Sequence, residues 1–218
     1  MELLRKPVAH SYLRLPEYAP MWEIAVDIDK CQKCYLCKMP HVLYRGNPFA
    51  AMALVGQCPG KQEHLNGIPW CGPAGHLLDK AFEAVNLDSN HNVFITNIVK
   101  ARPIAPSGSG RENVDPDKES TSLCSTFVYR ELAAMHGLKV ILIAGKIAAV
   151  GMGIANSNEP MYKLSGSVRE LTINDQNIPA ITIYHTAALL HNQDEERDAE
   201  MKWSIFNALK LARKIAFN

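Results

Sequence analysis

Residues Val55–Gly75 read VGQCPGKQEHLNGIPWCGPAG, and their punctuation decides the architecture. An apolar run ends at Gly56, a Pro-Gly turn follows, and a second Gly-Pro-x-Gly sequence opens a helical pattern. Gly56, Gly60, Gly67, Gly72 and Gly75 leave room for a ligand to approach the backbone. The helix start at Pro73–Gly75 offers free N–H groups, the chemistry of an anion site. Taken as anonymous turns, these glycines are explained at least as well by structure alone.

Outward from this stretch, four apolar runs have strand length and β-rich composition: Met52–Gln57, Val93–Lys100, Val140–Gly145 and Ile181–His185. They are unbroken rather than alternating, which suits strands covered on both faces. Amphipathic patterns lie between and after them. Residues 74–85 carry Leu77, Leu78, Ala81 and Val85 on one stripe, residues 119–136 end at a C-capping Gly137, and a third pattern runs from about Ala199 to Ala216. Strand and helix in alternation predict a three-layer α/β fold around a central four-stranded parallel sheet, with ligands beyond the carboxyl ends of the strands. Residues 102–118 and 155–160 read as loops, the first long enough to be functional.

Composition narrows the class. The 218 residues are 47% hydrophobic and 21% charged, which excludes a disordered chain. No apolar run approaches the roughly 18 residues of a membrane span. The opening MELLRKPVAHSYLRLPEYAP has prolines and charges where a signal peptide needs an apolar stretch. These features predict a complete cytoplasmic protein, a monomer with no membrane partner. A single domain is expected, with residues 1–50 as an N-terminal cysteine-bearing segment and 51–218 as the catalytic core. A net charge of +1 neither demands nor excludes nucleic acid. Of six cysteines, Cys31, Cys34 and Cys37 form a C-x2-C-x2-C run. One tight loop can aim such thiolates at a metal or an iron–sulfur centre, and in a reducing compartment they are poor candidates for disulfides.

The wider pattern, GQCPG-x2-E-x3-G-x-PWCGPAG-x-LLD, closely resembles the first motif of the uracil-DNA glycosylase superfamily. The nearest branch is the iron–sulfur family 4 type, GEAPG-x2-E-D-x2-G-x-PFVG-x-AG-x-LL. Ile95–Pro103 (ITNIVKARP) resembles ITN-x-VKCRP, residues 140–149 (VILIAGKIAA) resemble the central strand and its helix, and His185–His191 (HTAALLH) resembles HP-x-x-LLR. The resemblance implies a DNA glycosylase that extrudes a base, holds it in a pocket and hydrolyses its N-glycosidic bond to leave an abasic site. Trp70 matches the stacking aromatic, Asn97 the residue that reads the base edge, and His185 the donor that stabilises charge on the departing base. Backbone at Gly56–Gly60 and Gly72–Gly75, with Lys100 and Arg102, would hold phosphates. Leu189 or Leu190 would wedge into the space the base leaves.

Departures from the family pattern carry as much information. Gln57 stands where family 4 has Glu, and Cys58 stands where the GQDPYH form has Asp, so neither usual carboxylate is present. Three outcomes are open: a weak or inactive protein, substitution by another acid such as Glu63, or a base that leaves well enough without one. Gly60 takes the place of the Tyr that excludes C5 substituents, which raises a bulky modified pyrimidine of the kind phages use, and a role in antiviral defence. Thr186 replaces the usual Pro, and His191 replaces the usual Arg. Family 4 enzymes hold a [4Fe–4S] cluster; by resemblance Cys31, Cys34 and Cys124 are ligands, and Cys37 would replace the cysteine absent at Ala101. Zinc on the same thiolates, or no metal, stay open. A modified-base binding module without activity and a free nucleotide hydrolase are the rival functions.

Overall fold

A computed structural model describes residues 19–104 and 113–218, apart from the side chain at position 191; residues 105–112 of the expected loop at 102–118 therefore lie outside the described residues. In chain order, α1 (Ala19–Asp29) leads through a short 3-10 turn (Tyr35–Lys38) to β1 (Arg45–Gly46). Next come β2 (Met52–Gly56), α2 (Lys61–Asn66), α3 (Pro73–Glu83) and β3 (Val93–Asn97). They are followed by α4 (Lys118–Ala133), β4 (Val140–Ala144), α5 (Lys146–Gly151) and α6 (Met161–Leu164). The chain closes with β5 (Val168–Ile173), β6 (Gln176–Ile183), α7 (Ala187–His191) and α8 (Glu195–Phe217). No described helix is long and apolar enough to cross a membrane.

The strands are ordered β1-β3-β2-β4-β6-β5. The central four, β3-β2-β4-β6, are parallel, as the unbroken apolar runs predict. Every residue of β2, β3 and β4 is buried. Successive side chains alternate between the two faces. Ala53, Val55, Phe94, Ile141 and Ile143 pack with Ile24, Phe127, Val128 and Ala148, from α1, α4 and α5. Met52, Leu54, Ile95 and Leu142 pack with Leu78, Phe82, Ala208 and Leu209, from α3 and α8. The result is the expected three layers.

Two strands exceed the expectation. β1 and β5 are antiparallel additions at the two edges. β1 has only two residues, too few to leave a pattern. β5 is half-exposed, so its run lacks continuous apolarity. It joins β6 through Asn174-Asp175, both at positive φ, the geometry of a two-residue hairpin turn.

The order also fixes the crevice. β3 lies on one side of β2 and β4 on the other, so the chain reverses its direction of strand addition there. Gly56 and Asn97 are register partners at the carboxyl ends of β2 and β3. Beyond them, Ile98 N–H donates to the Gly56 carbonyl and Val99 N–H to that of Gln57. The loop carrying Gln57 is thereby held against the segment after β3.

Candidate active site

Trp70, Asn97 and His185 meet at these strand ends. The Trp70 indole N–H donates to Asn97 Oδ1 at 3.0 Å, and the indole stacks on the His185 ring with centroids 4.6 Å apart and planes 19° from parallel. Residues 115 positions apart in the chain thus share one wall. A cleft of about 770 Å³ is lined by Gln57, Glu63, Trp70, Asn97 and His185, and also by Asp115.

Two glycines seat the tryptophan. Trp70 has φ +57, a backbone conformation that bulky residues seldom adopt. A Cβ at Gly75 would stand 1.8 Å from the Trp70 carbonyl oxygen, and one at Gly56 would stand 2.3 Å from Asn97 Oδ1 and 2.6 Å from the indole. Gly56 and Gly75 therefore make space for Trp70 and Asn97. Gly75 is buried in this packing and is not among the residues lining the cleft. Gly72 is the N-cap residue of α3, with Pro73 in the first turn, and it does line the cleft.

His185 is held as a neutral donor. Its Nδ1 accepts from Ala187 N–H at 3.2 Å, which leaves the proton of a neutral ring on Nε2. The ring is packed against Trp70 and close to Gly145, and burial holds its pKa down at about 4. Thr186, in place of the usual Pro, is buried, and its hydroxyl donates to the Ala74 carbonyl at 2.6 Å. The loop after β6 is thereby tied to the first turn of α3. That bond spans 112 residues and has no counterpart in the linear sequence.

The carboxylates are placed less simply. Glu63 fills the space between two turn glycines: its Oε2 lies 2.6 Å from where a Cβ at Gly60 would be, and its Oε1 3.4 Å from one at Gly72. The room expected beside Gly60 is partly taken. Gln57 Nε2 donates to Asp115 Oδ1 at 2.6 Å, so a carboxylate absent from the motif arrives from 58 residues further along the chain. Burial, then Asp115 and Glu63, push the Cys58 thiol up to about 12. Cys58 is consequently a protonated, weakly nucleophilic lining residue.

Several expected DNA contacts separate here. Lys100 is 1% exposed, and its Nζ donates to Glu131 Oε2 at 2.7 Å and Thr96 Oγ1 at 2.6 Å. It cannot reach a phosphate, because the turn after β3 directs it inward toward α4. Arg102 lines the cleft and donates to Asn113 Oδ1 at 3.4 Å. Leu190 is exposed and lines the cleft, whereas Leu189 packs against the core, so only Leu190 is placed to act as a wedge. The side chain of His191 lies outside the described residues.

Behind the site, Cys31, Cys34, Cys37 and Cys124 line one small cavity together with His41 and Ala101. Burial pushes the Cys124 thiol up, and the nearness of Cys34 and Cys31 adds to it. Among the described residues, no three His, Cys, Asp or Glu side chains are gathered as a single metal ion requires. Cys71 stands apart, near Asn66.

The sequence profile of the Uracil DNA glycosylase superfamily matches residues 43–210. A type-4 uracil-DNA glycosylase of Archaeoglobus fulgidus is 32% identical over 186 residues, covering 83% of this chain and 89% of that one. One of Saccharolobus solfataricus is 31% identical over 172 residues, covering 78% and 76%. One of Sulfurisphaera tokodaii is 26% identical over 196 residues, covering 88% and 86%.

Proposed function

The chain belongs to the uracil-DNA glycosylase superfamily, and on that premise we propose that it excises uracil from DNA by hydrolysing the N-glycosidic bond. The convergence of Trp70, Asn97 and His185 on one cleft wall carries this reading. A stacked base cannot be reached inside a duplex, so it is extruded, with Leu190 filling the gap. Water adds to C1′ while the C1′–N1 bond breaks, and the bonding electrons leave with the base. The charge developing on the base is met by the His185 Nε2–H. A neutral donor suits this task, because it stabilises the anion without protonating it.

Asn97 supplies selectivity. The indole N–H engages Oδ1 and so orients the amide, leaving Nδ2 without a partner among the described residues. Nδ2 is a donor and matches the 4-oxo group of uracil; the 4-amino group of cytosine would oppose donor to donor. Glu63 crowding the space beside Gly60 favours uracil over a pyrimidine with a bulky C5 group. The test is abasic-site formation on DNA containing uracil, 5-hydroxymethyluracil, glucosylated hydroxymethylcytosine or only ordinary bases, with free deoxyuridine nucleotides as a further arm. Uracil DNA is expected to be cleaved first and cytosine derivatives not at all. Cleavage of the glucosylated base alone would overturn the assignment, and activity on free nucleotide alone would replace it with a nucleotide hydrolase.

The same reading assigns the cysteine cavity to a [4Fe–4S] cluster on Cys31, Cys34, Cys37 and Cys124. Four thiols around a gap fit a cluster better than zinc, which draws each sulfur to about 2.3 Å. Bound there, the cluster ties the segment after α1 to α4. Ala101, at the position of the family's third cysteine, lines the same cavity as Cys37. Cys37→Ala is expected to lower the iron content and the melting temperature of the purified protein, and Cys37→Ala combined with Ala101→Cys to restore both. Full iron occupancy in the single variant would remove Cys37 from the ligand set.

A further inference from the structure

The geometry points to Asp115 as the carboxylate of the reaction, standing in for the acid that the first motif lacks. This assignment rests on the proposed glycosylase reading. Gln57 occupies the motif position where relatives of the family 4 type carry Glu, and an amide cannot take a proton from water. Yet the Gln57 amide is not turned outward. Its Nε2 donates to Asp115 Oδ1 at 2.6 Å, a bond between residues 58 apart in sequence, and both side chains line the cleft that holds Asn97 and His185. Asp115 is near enough to Cys58, the next motif residue, to help hold its thiol protonated. The negative charge is therefore at the motif, delivered from the segment leading into α4 rather than from the turn after β2.

Glu63 is the other acid on the cleft wall, and it is less suited. Its carboxylate is seated between Gly60 and Gly72, where it fills turn space. Asp115 is exposed and lines the cleft, so water can reach it. In the step assigned to it, the attacking water forms the C1′–O bond as C1′–N1 breaks. The leaving base takes the electron pair opposite His185, and the water proton passes to the Asp115 carboxylate. Before that transfer, the carboxylate's charge stabilises the cationic sugar. Gln57 is a positioning residue: its amide fixes one carboxylate oxygen, and the other has no hydrogen-bond partner among the described residues.

The experiment compares wild type, Asp115→Asn, Glu63→Gln, Gln57→Glu and the double variant Gln57→Glu/Asp115→Asn on uracil DNA. Readouts are kcat, KM, melting temperature and the pH–rate profile. Asp115→Asn is expected to lower kcat at least 100-fold, the ordinary reach of general acid–base catalysis, with KM and melting temperature unchanged and the acidic limb of the profile lost. The double variant, which restores a carboxylate at the motif itself, is expected to recover at least tenfold of that loss. An active wild type with Asp115→Asn within threefold of it overturns the assignment of Asp115 alone. So does a loss confined to Glu63→Gln. A double variant that folds but recovers nothing also overturns it. A wild type silent on every substrate overturns the glycosylase reading and this assignment with it.

Discussion

Replacing His185 with alanine is expected to slow base release roughly 100- to 1,000-fold, the usual cost of removing one preorganised donor from a developing anion. The expectation rests on how completely the side chain is specified. Its tautomer is set by Ala187 N–H at Nδ1, its plane by the stacked indole of Trp70, and its loop by the Thr186 hydroxyl on the Ala74 carbonyl. A donor fixed this way reorganises little during the reaction. Alanine removes the donor and leaves the fold, so single-turnover rates should fall while affinity for uracil DNA changes little. An equal loss in affinity, with the rate of bound substrate preserved, would make His185 a binding residue only.

The acid behaviour of this ring gives a second readout. Folding depresses its pKa from 6.5 to about 4, because burial disfavours the charged form. As pH falls, the unfolded chain therefore takes up a proton before the folded one does. The stability that His185 contributes is complete above about pH 6.5 and is lost as pH falls toward 4. Urea unfolding at pH 7 and pH 5 should show a smaller pH dependence in His185→Asn than in wild type. The reaction itself should not respond to this group between those two values, since the bound ring is neutral at both.

What the sequence made legible follows from the range of the interactions. β2, β3 and β4 were readable because parallel strands buried on both faces need continuous apolar runs, and these sites have them. β1 and β5 sit at the edges, where pairing is decided by backbone alone or by a hairpin turn. Trp70, Asn97 and His185 were readable because each stands at a fixed place in a motif, Asn97 and His185 at or just after the carboxyl ends of β3 and β6 and Trp70 in the turn before α3. The Gln57–Asp115 and Thr186–Ala74 bonds were not readable, since each joins a motif residue to one far along the chain with no spacing to betray it. Leu189 and Leu190 are chemically identical, and only the rotation of α7 decides which one faces the cleft. Lys100 illustrates the opposite hazard. A lysine beside a DNA-binding motif suggests a phosphate contact, yet its direction is set by α4.

Lys100→Ala is accordingly expected to be a stability variant, costing about 3–5 kcal/mol, the typical penalty for removing one partner of a buried ion pair. Glu131 and Lys100 are each 1% exposed at the side chain. Glu131 Oε2 accepts from Lys100 and from Thr96 Oγ1, while its Oε1 has no partner among the described residues. Without the ammonium group, the carboxylate would be a buried charge held by one hydroxyl. Burial already raises the Glu131 pKa against the pull of Lys100, so in the variant the acid would hold its proton to still higher pH. A raised folded pKa means that stability is recovered as pH falls, and the defect in Lys100→Ala should be smaller at pH 5 than at pH 8. Replacing both partners, as Lys100→Met with Glu131→Leu, should restore most of the loss, because neither charge is then stranded. The consequences reach the site from both sides. Thr96 adjoins Asn97, and the Lys100 carbonyl accepts from Val42 N–H in the segment that borders the cysteine cavity. The single variant should therefore lose iron and uracil excision together with stability, and the double variant should regain all three. A double variant that is stable and retains iron but does not excise uracil would instead return Lys100 to a role at the DNA.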